Sequence, residues 1–240
     1  MHFFYVSDCY ENNNNILYVR ENLSELFFKP EKSRLVADRQ RVGLYLTASD
    51  DLFRPAAEEL SDKLCDVIAI GYKYDFFVRN IKADGLRPDE KELLIAALIA
   101  ADFEDDKRFA RSRMAAFNSD NDFCFALDGF YNFRLASLKN KWNEVVSYVP
   151  SYFSRRELGD FIAYLLCEKK GRRVIIDGEK VYDRRFNRLK RSALAGGKCG
   201  GEVVKEAILS GAGEVEVKNR PKAEEERLLK EYFGDKVYFS

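Results

Sequence analysis

Val174-Ile-Ile-Asp-Gly-Glu-Lys-Val-Tyr182 sets β-forming residues on both sides of Asp177-Gly178-Glu179. Asp-Gly between such flanks supplies a tight turn, so residues 174–176 and 180–182 are read as a β-hairpin. Further along, residues 196–201 are a Gly-rich loop and 202–209 carry helical spacing that Gly211-Ala-Gly213 ends. Residues 215–217 then read as a strand, 223–233 as a helix and 237–239 as a terminal strand after Gly234-Asp235. Segment 171–240 is therefore a hairpin followed by a small α/β unit, and its strands are expected to complete the sheet begun at the N-terminus.

Towards the N-terminus, residues 3–6 read as a strand. Asn12 to Asn15 form a loop and cap for a helix carrying Ile16, Val19, Leu23, Leu26 and Phe27. Residues 35–38 and 42–47 are two strands joined by a tight turn. Asp50 or Asp51 caps a helix whose stripe of Leu52, Ala56, Leu60, Leu64, Val67 and Ile68 continues towards Phe76 and Phe77. These elements make a β-α-β-β-α unit over 1–82. Segment 86–169 reads as a helical bundle, with Pro88-Asp-Glu opening a nearly all-apolar helix through residues 93–101. A second helix is expected over 105–118, a third over 122–149 with Pro150 stopping it, and a fourth over 155–169. Phe130, Leu138, Trp142 and Val145 are expected to share one helical core, with residues 93–101 against them. The fold class is α+β in three segments.

Composition narrows the function. The 240 residues are 46% hydrophobic and 33% charged, with 40 Lys and Arg against 40 Asp and Glu, which excludes collagenous and disordered classes. The longest apolar run, residues 93–101, is half of the roughly 18–20 needed to span a bilayer, and the N-terminus lacks the pattern of a signal peptide. A cytoplasmic address is expected. The one histidine, His2, would have to carry every histidine-based catalytic or metal site. No cofactor and no metal are expected. Cys9, Cys65, Cys124, Cys167 and Cys199 form no Cys-x-x-Cys pair; Cys65, Cys124 and Cys167 read as small core hydrophobes, and Cys199 as an exposed loop thiol.

The stretch Asp128-Gly-Phe-Tyr-Asn-Phe-Arg-Leu135 resembles the Gly-Phe-x-x-Phe-Arg signature of YtxC-like sporulation proteins of spore-forming Firmicutes. Arg156-Glu-Leu-Gly-Asp-Phe-Ile-Ala-Tyr-Leu-Leu166 is similar to the family's next helix. The Asp177-Gly178 hairpin and the ending Tyr232-Phe-Gly-Asp-Lys-Val-Tyr-Phe239 follow in the same order. The resemblance implies mixed α and β structure with a helical middle, a sporulation association and action through protein contacts; it implies no reaction. It singles out Gly129, Phe130, Phe133 and Arg134. Two readings of these stand: Phe130 and Phe133 pack into neighbouring helices while Arg134 satisfies a carboxylate or helix-end carbonyls, or Arg134 clamps an anion through its planar fork.

Other features carry alternatives. Gly196-Gly-Lys-Cys-Gly-Gly201 lacks the Lys-Ser/Thr ending of a phosphate-binding loop, so it reads as a connection whose NH groups at a helix start suit an anion only weakly. Asp102, Glu104, Asp105 and Asp106 read as capping and solvated acids. Residues 168–198 hold eleven Lys and Arg against four Asp and Glu, a local excess of seven in a neutral chain. Within them Arg184, Arg185, Arg188, Lys190 and Arg191 surround one aromatic in the manner of a nucleic-acid or anionic-membrane surface. Contact with a protein partner, weak nucleic-acid or anionic-surface binding through 169–198, and an enzyme of unknown reaction are thus the three functional readings.

Overall fold

The computed structural model describes residues 2–24, 33–114, 123–168, 172–196 and 200–240. The protein is α+β, and its chain forms two compact units, Met1–Tyr72 with Glu104–Lys141, and Lys73–Phe103 with Trp142–Ser240. Among the described residues no helix is long and apolar enough to cross a membrane.

The first unit is built on a four-stranded sheet, β1 (His2–Cys9), β2 (Arg34–Ala37), β3 (Arg41–Ala48) and β4 (Phe123–Ala126), in the order β2-β3-β1-β4. β1 and β3 pair antiparallel from His2↔Ala48 to Cys9↔Arg41. Phe4, Val6, Val42, Leu44 and Leu46 are buried, as the two-residue side-chain period requires of a half-covered sheet. Tyr5 and Tyr45, directly opposed, bring their rings to 4.4 Å in a tilted contact. The Tyr5 ring also lies over Gly43, where a Cβ would stand 2.6 Å from it, so only glycine admits this approach. Helices α1 (Asn13–Asn22) and α2 (Phe53–Asp66) bring Ile16, Val19, Ala56, Leu60 and Leu64 to this core. A π-helical stretch, Val67–Tyr72, carries the chain on into α3 (Lys73–Asn80), so the apolar stripe does run from Leu60 to Phe77.

Three expectations are corrected here. First, the helix expected over 122–149 is a strand followed by two helices. Phe123 and Phe125 are buried and Cys124 and Ala126 exposed, a strand's alternation, and β4 pairs parallel with β1 from Phe4↔Phe123 to Ser7↔Ala126. α5 (Leu127–Arg134) and α6 (Ala136–Tyr148) follow, separated at Leu135, whose φ of −114° and ψ of 28° leave the helical region. Second, the helices expected over 88–101 and 105–118 are one element, α4 (Pro88–Met114), with non-helical backbone only at Asp102. Third, the C-terminal strands do not join the N-terminal sheet. β4 holds the place beside β1, and the C-terminal strands make a sheet of their own.

That sheet belongs to the second unit and comprises β5 (Arg173–Asp177), β6 (Lys180–Tyr182), β7 (Arg188–Leu189), β8 (Glu214–Asn219) and β9 (Val237–Phe239), in the order β7-β6-β5-β8-β9. β5, β6 and β7 form an antiparallel meander, and β8 and β9 add in parallel on the other side of β5. Gly178, at φ 60°, is the first central residue of the β5–β6 turn, where a tight hairpin of this kind needs positive φ. Helices α7 (Arg155–Glu168), α8 (Glu202–Leu209) and α9 (Ala223–Phe233) complete the unit. Val174, Ile176, Val181, Val215 and Val217 are buried on one face of the sheet, and Val203, Val204, Ala207, Ile208, Leu228 and Leu229 are buried on α8 and α9.

Phe130, Leu138 and Trp142 are buried as expected, whereas Val145 is half-buried. Phe130 and Leu138 belong to the first unit, with the Phe130 ring 5.0 Å from Phe125 of β4; Trp142, Val145 and residues 93–101 belong to the second.

Candidate nucleic-acid interface

Because successive strand residues face opposite ways, the registers of the second sheet define its outer face. Ile175 is opposite Tyr182, which is opposite Arg188; on the other side Ile175 is opposite Glu216, which is opposite Tyr238. One row across five strands therefore reads Arg188, Tyr182, Ile175, Glu216, Tyr238, with Arg173, Asp177 and Lys180 on the same face. Ile175 in its middle is buried, while Lys180, Arg188 and Tyr238 are exposed. Arg173 is neutralised by Glu216 at 2.7 Å.

The β6–β7 loop adds to this face, and one aspartate shapes it. Asp183 Oδ1 accepts hydrogen bonds from the backbone NH groups of Arg185 and Asn187, at 2.8 and 2.9 Å, and its Oδ2 accepts one from the Asn187 side chain. Burial works against ionisation, yet the bonds from Asn187 and Arg185 hold the Asp183 carboxyl below the usual carboxylate range. Backbone bonds from Asp183 NH to the Asn187 carbonyl and from Phe186 NH to the Asp183 carbonyl close the loop. Arg184 and Arg185 stand exposed on it. Phe186 takes φ 60° and is 59% exposed, with Lys218 Nζ of β8 at 4.6 Å from its ring. A bulky residue at positive φ costs about 1–3 kcal/mol, and such strain concentrates at functional sites.

Of the five cations singled out in sequence, the structure exposes Arg184, Arg185 and Arg188 together, with Lys190 half-buried. Arg191 is withdrawn from the surface set: its guanidinium lies 4.4 Å from the Phe103 ring and its Nη1 donates to the Leu209 carbonyl at 3.2 Å, tying down the last turn of α8. Lys180 and Lys218 take its place. Lys218 lies outside the basic run and reaches it only through the parallel pairing of β5 with β8, so no local charge count finds it. Arg184, Arg185, Arg188, Lys180 and Lys218 form no ion pair within the described residues.

The family-like stretch is structural at Asp128 and Phe130. Asp128 receives a forked pair of bonds from Arg41, at 2.7 and 3.1 Å, and these hold its carboxyl below the usual range; the same Arg41 reaches Ser7 Oγ at 3.1 Å. Phe130 is buried. A Cβ at Gly129 would meet only the Ala126 methyl at 3.8 Å, so space does not demand glycine there. Phe133 overturns the packing expectation, being 84% exposed, and Arg134 is exposed at the end of α5.

The acids outside this face are taken up by partners within the fold. Asp8 is fully buried at the end of β1 and accepts bonds from Tyr72 OH at 2.7 Å, Cys9 NH at 2.8 Å and Asn15 Nδ2 at 2.9 Å; burial still raises its carboxyl. Asp102 pairs with buried Lys73, Asp106 with Lys141 at 2.6 Å and Asp105 with Arg108 at 3.6 Å. Among the described residues no group of three His, Cys, Asp or Glu is placed to hold a metal. The NH groups of Val203 and Val204 at the start of α8 face the buried Glu225 carboxylate at 3.4 and 3.3 Å, so the protein's own anion fills the place considered for an external one. Gly197 to Cys199 of that loop lie outside the described residues. Cys65 is buried, which pushes its thiol up to about 12, but Cys124 and Cys167 are exposed rather than in the core. A cleft of about 720 Å³ between α7 and the end of α9 is lined by Arg155, Gly159, Ala163, Tyr232, Phe233 and Lys236 among others, and Arg134 is not part of it.

No family model, no curated protein and no solved structure matches this chain.

Proposed function

We propose that the protein binds nucleic acid through the outer face of its second sheet. The observation that carries this reading is that one face of the second sheet and its β6–β7 loop hold five cations with no ion-pair partner among the described residues, Lys180, Arg184, Arg185, Arg188 and Lys218, with the Lys218 ammonium 4.6 Å from the exposed Phe186 ring. Two of them sit on a loop braced by Asp183, so little ordering is needed when a phosphate chain arrives. In a chain of zero net charge such segregation supplies a local field for a polyanion.

Fluorescence anisotropy with a labelled 20-nucleotide strand, a 20-base-pair duplex and anionic vesicles tests it. Affinity for nucleic acid is expected to fall linearly with salt on logarithmic axes. Replacing Arg184, Arg185 and Arg188 together with Gln should flatten the single-strand slope by about two, at roughly 0.7 per lost phosphate contact, and weaken every sequence by a similar factor. No binding of either nucleic acid at low salt overturns the proposal, and binding of vesicles alone reassigns the face to a membrane surface.

Phe133 supports a second reading. An aromatic ring 84% exposed on the helix that resembles a sporulation family suits a cytoplasmic protein acting by contact with a protein partner. Crosslinking from position 133 in sporulating cells should give one dominant adduct that Phe133→Ser removes without lowering the melting temperature; a diffuse pattern indifferent to that change counts against it.

A further inference from the structure

The chemistry of the outer face also selects among nucleic acids. We infer that this surface takes a single strand, stacking exposed bases on Phe186 and on Tyr182 and Tyr238 of the sheet face; the inference rests on the nucleic-acid reading proposed above.

Three observations converge. The first is the conformation of Phe186. Its left-handed backbone is one that Gly or Asn adopts at little cost, yet the position carries a large ring that is 59% exposed. A ring so placed gains little from core burial, whereas an unpaired base would cover its free surface.

The second is the direction of the loop. Lys218 belongs to β8, two strands away from β6 in the order β6-β5-β8, and its ammonium stands 4.6 Å from the Phe186 ring. The loop tip is therefore laid across the sheet and does not project from it. Reading a duplex in its major groove requires a helix or a two-stranded ribbon that enters a channel about 12 Å wide. β7, with two residues, offers no such ribbon.

The third is the aromatic row. Tyr182 and Tyr238 share one cross-strand row on the same face, three strand spacings or about 14 Å apart, and Tyr238 is 45% exposed. Bases in a duplex are already stacked on one another and present no face to such rings. Bases of a single strand do, and aromatic stacking tolerates any sequence because every base has a π-face. The cations then follow the backbone, with Lys180 and Lys218 on the sheet and Arg184, Arg185 and Arg188 towards one edge.

Phe186→Asn separates stacking from charge. Asn suits positive φ, so the variant should melt no lower than the parent, and no charge changes. Anisotropy is measured with labelled dT20 and U20 single strands and a 20-base-pair duplex over a series of salt concentrations, for the parent, Phe186→Asn, Tyr238→Ser and the triple Arg→Gln variant. The parent is expected to bind both single strands more tightly than the duplex. Phe186→Asn should weaken single-strand binding about tenfold or more while leaving its salt slope and the duplex affinity unchanged, with a smaller loss in Tyr238→Ser. Equal affinity for strand and duplex, or single-strand affinity unchanged by Phe186→Asn while the Arg→Gln variant loses it, overturns the stacking inference and leaves the charge-based reading standing. Absence of all nucleic-acid binding overturns both.

Discussion

Trp142→Ala should lower the unfolding free energy by about 3–5 kcal/mol, the range for removing a fully buried large aromatic with the cavity it leaves. Trp142 has no exposed surface, and its ring lies 5.7 Å from that of Phe76. Lys73, also fully buried, holds its ammonium 6.0 Å from the Trp142 ring and 5.4 Å from that of Phe77. The same lysine pairs with Asp102, the single residue at which α4 departs from helical backbone. Loss of the indole therefore removes apolar contact and also strips one aromatic wall from a buried cation, which is why collapse of neighbouring side chains into the space should recover little. Equilibrium urea denaturation checks this as a shift in midpoint at unchanged slope. A loss below about 1 kcal/mol would mean that the site relaxes freely and that Trp142 is not a keystone of the second unit.

The sequence announces elements whose period is strong and whose ends are marked. Residues 202–209, 223–233 and 237–239 fold as read because glycines stand on both sides of the first and Gly234 divides the other two, and the Asp177-Gly178 turn holds because its chemistry is local. β4 escapes because its alternation lasts four residues, Phe123 to Ala126, and Leu127 then continues the same apolar spacing directly into α5. Its partner β1 lies more than a hundred residues earlier, and nothing local signals a parallel pairing. The candidate interface divides the same way. Arg184, Arg185 and Arg188 are visible as a charge run, but Arg191 in the same run is drawn inward by Phe103 and the end of α8, and Lys218 enters only through sheet order. Phe133 belongs to the part that is not legible: a side chain's type gives its preference for burial, and only the neighbouring elements determine whether burial is on offer.

At neutral pH Lys205→Met should cost about 3–5 kcal/mol, because it breaks a buried ion pair by deleting one partner. Lys205 is fully buried on α8; its Nζ donates to Glu92 Oε2 and Glu202 Oε1, each at 2.8 Å, and to the Ala195 carbonyl at 3.3 Å. Glu202 is nearly half exposed and can turn to water, but the Glu92 side chain is only 11% exposed and would keep a charge with no counterion. The double variant Lys205→Met, Glu92→Leu should therefore be more stable than the single one, since an apolar pair of similar volume is commonly as good as the ion pair it replaces. The pH dependence gives a separate check. Burial lowers the Lys205 pKa, but the bonds to Glu202 and Glu92 outweigh it and leave the ammonium above its ordinary value. A folded-state value above the unfolded one means that the native protein holds the extra proton in the window between them. Stability from this group is complete below the unfolded lysine value of about 10.4 and declines as pH rises through the folded value. Deprotonation in the parent then leaves Glu92 in much the same position as the substitution does. The gap in stability between parent and Lys205→Met should be widest from neutral pH up to about 10 and should shrink above that. A gap constant through pH 11 would assign the loss to packing of the lysine stem instead of to its charge.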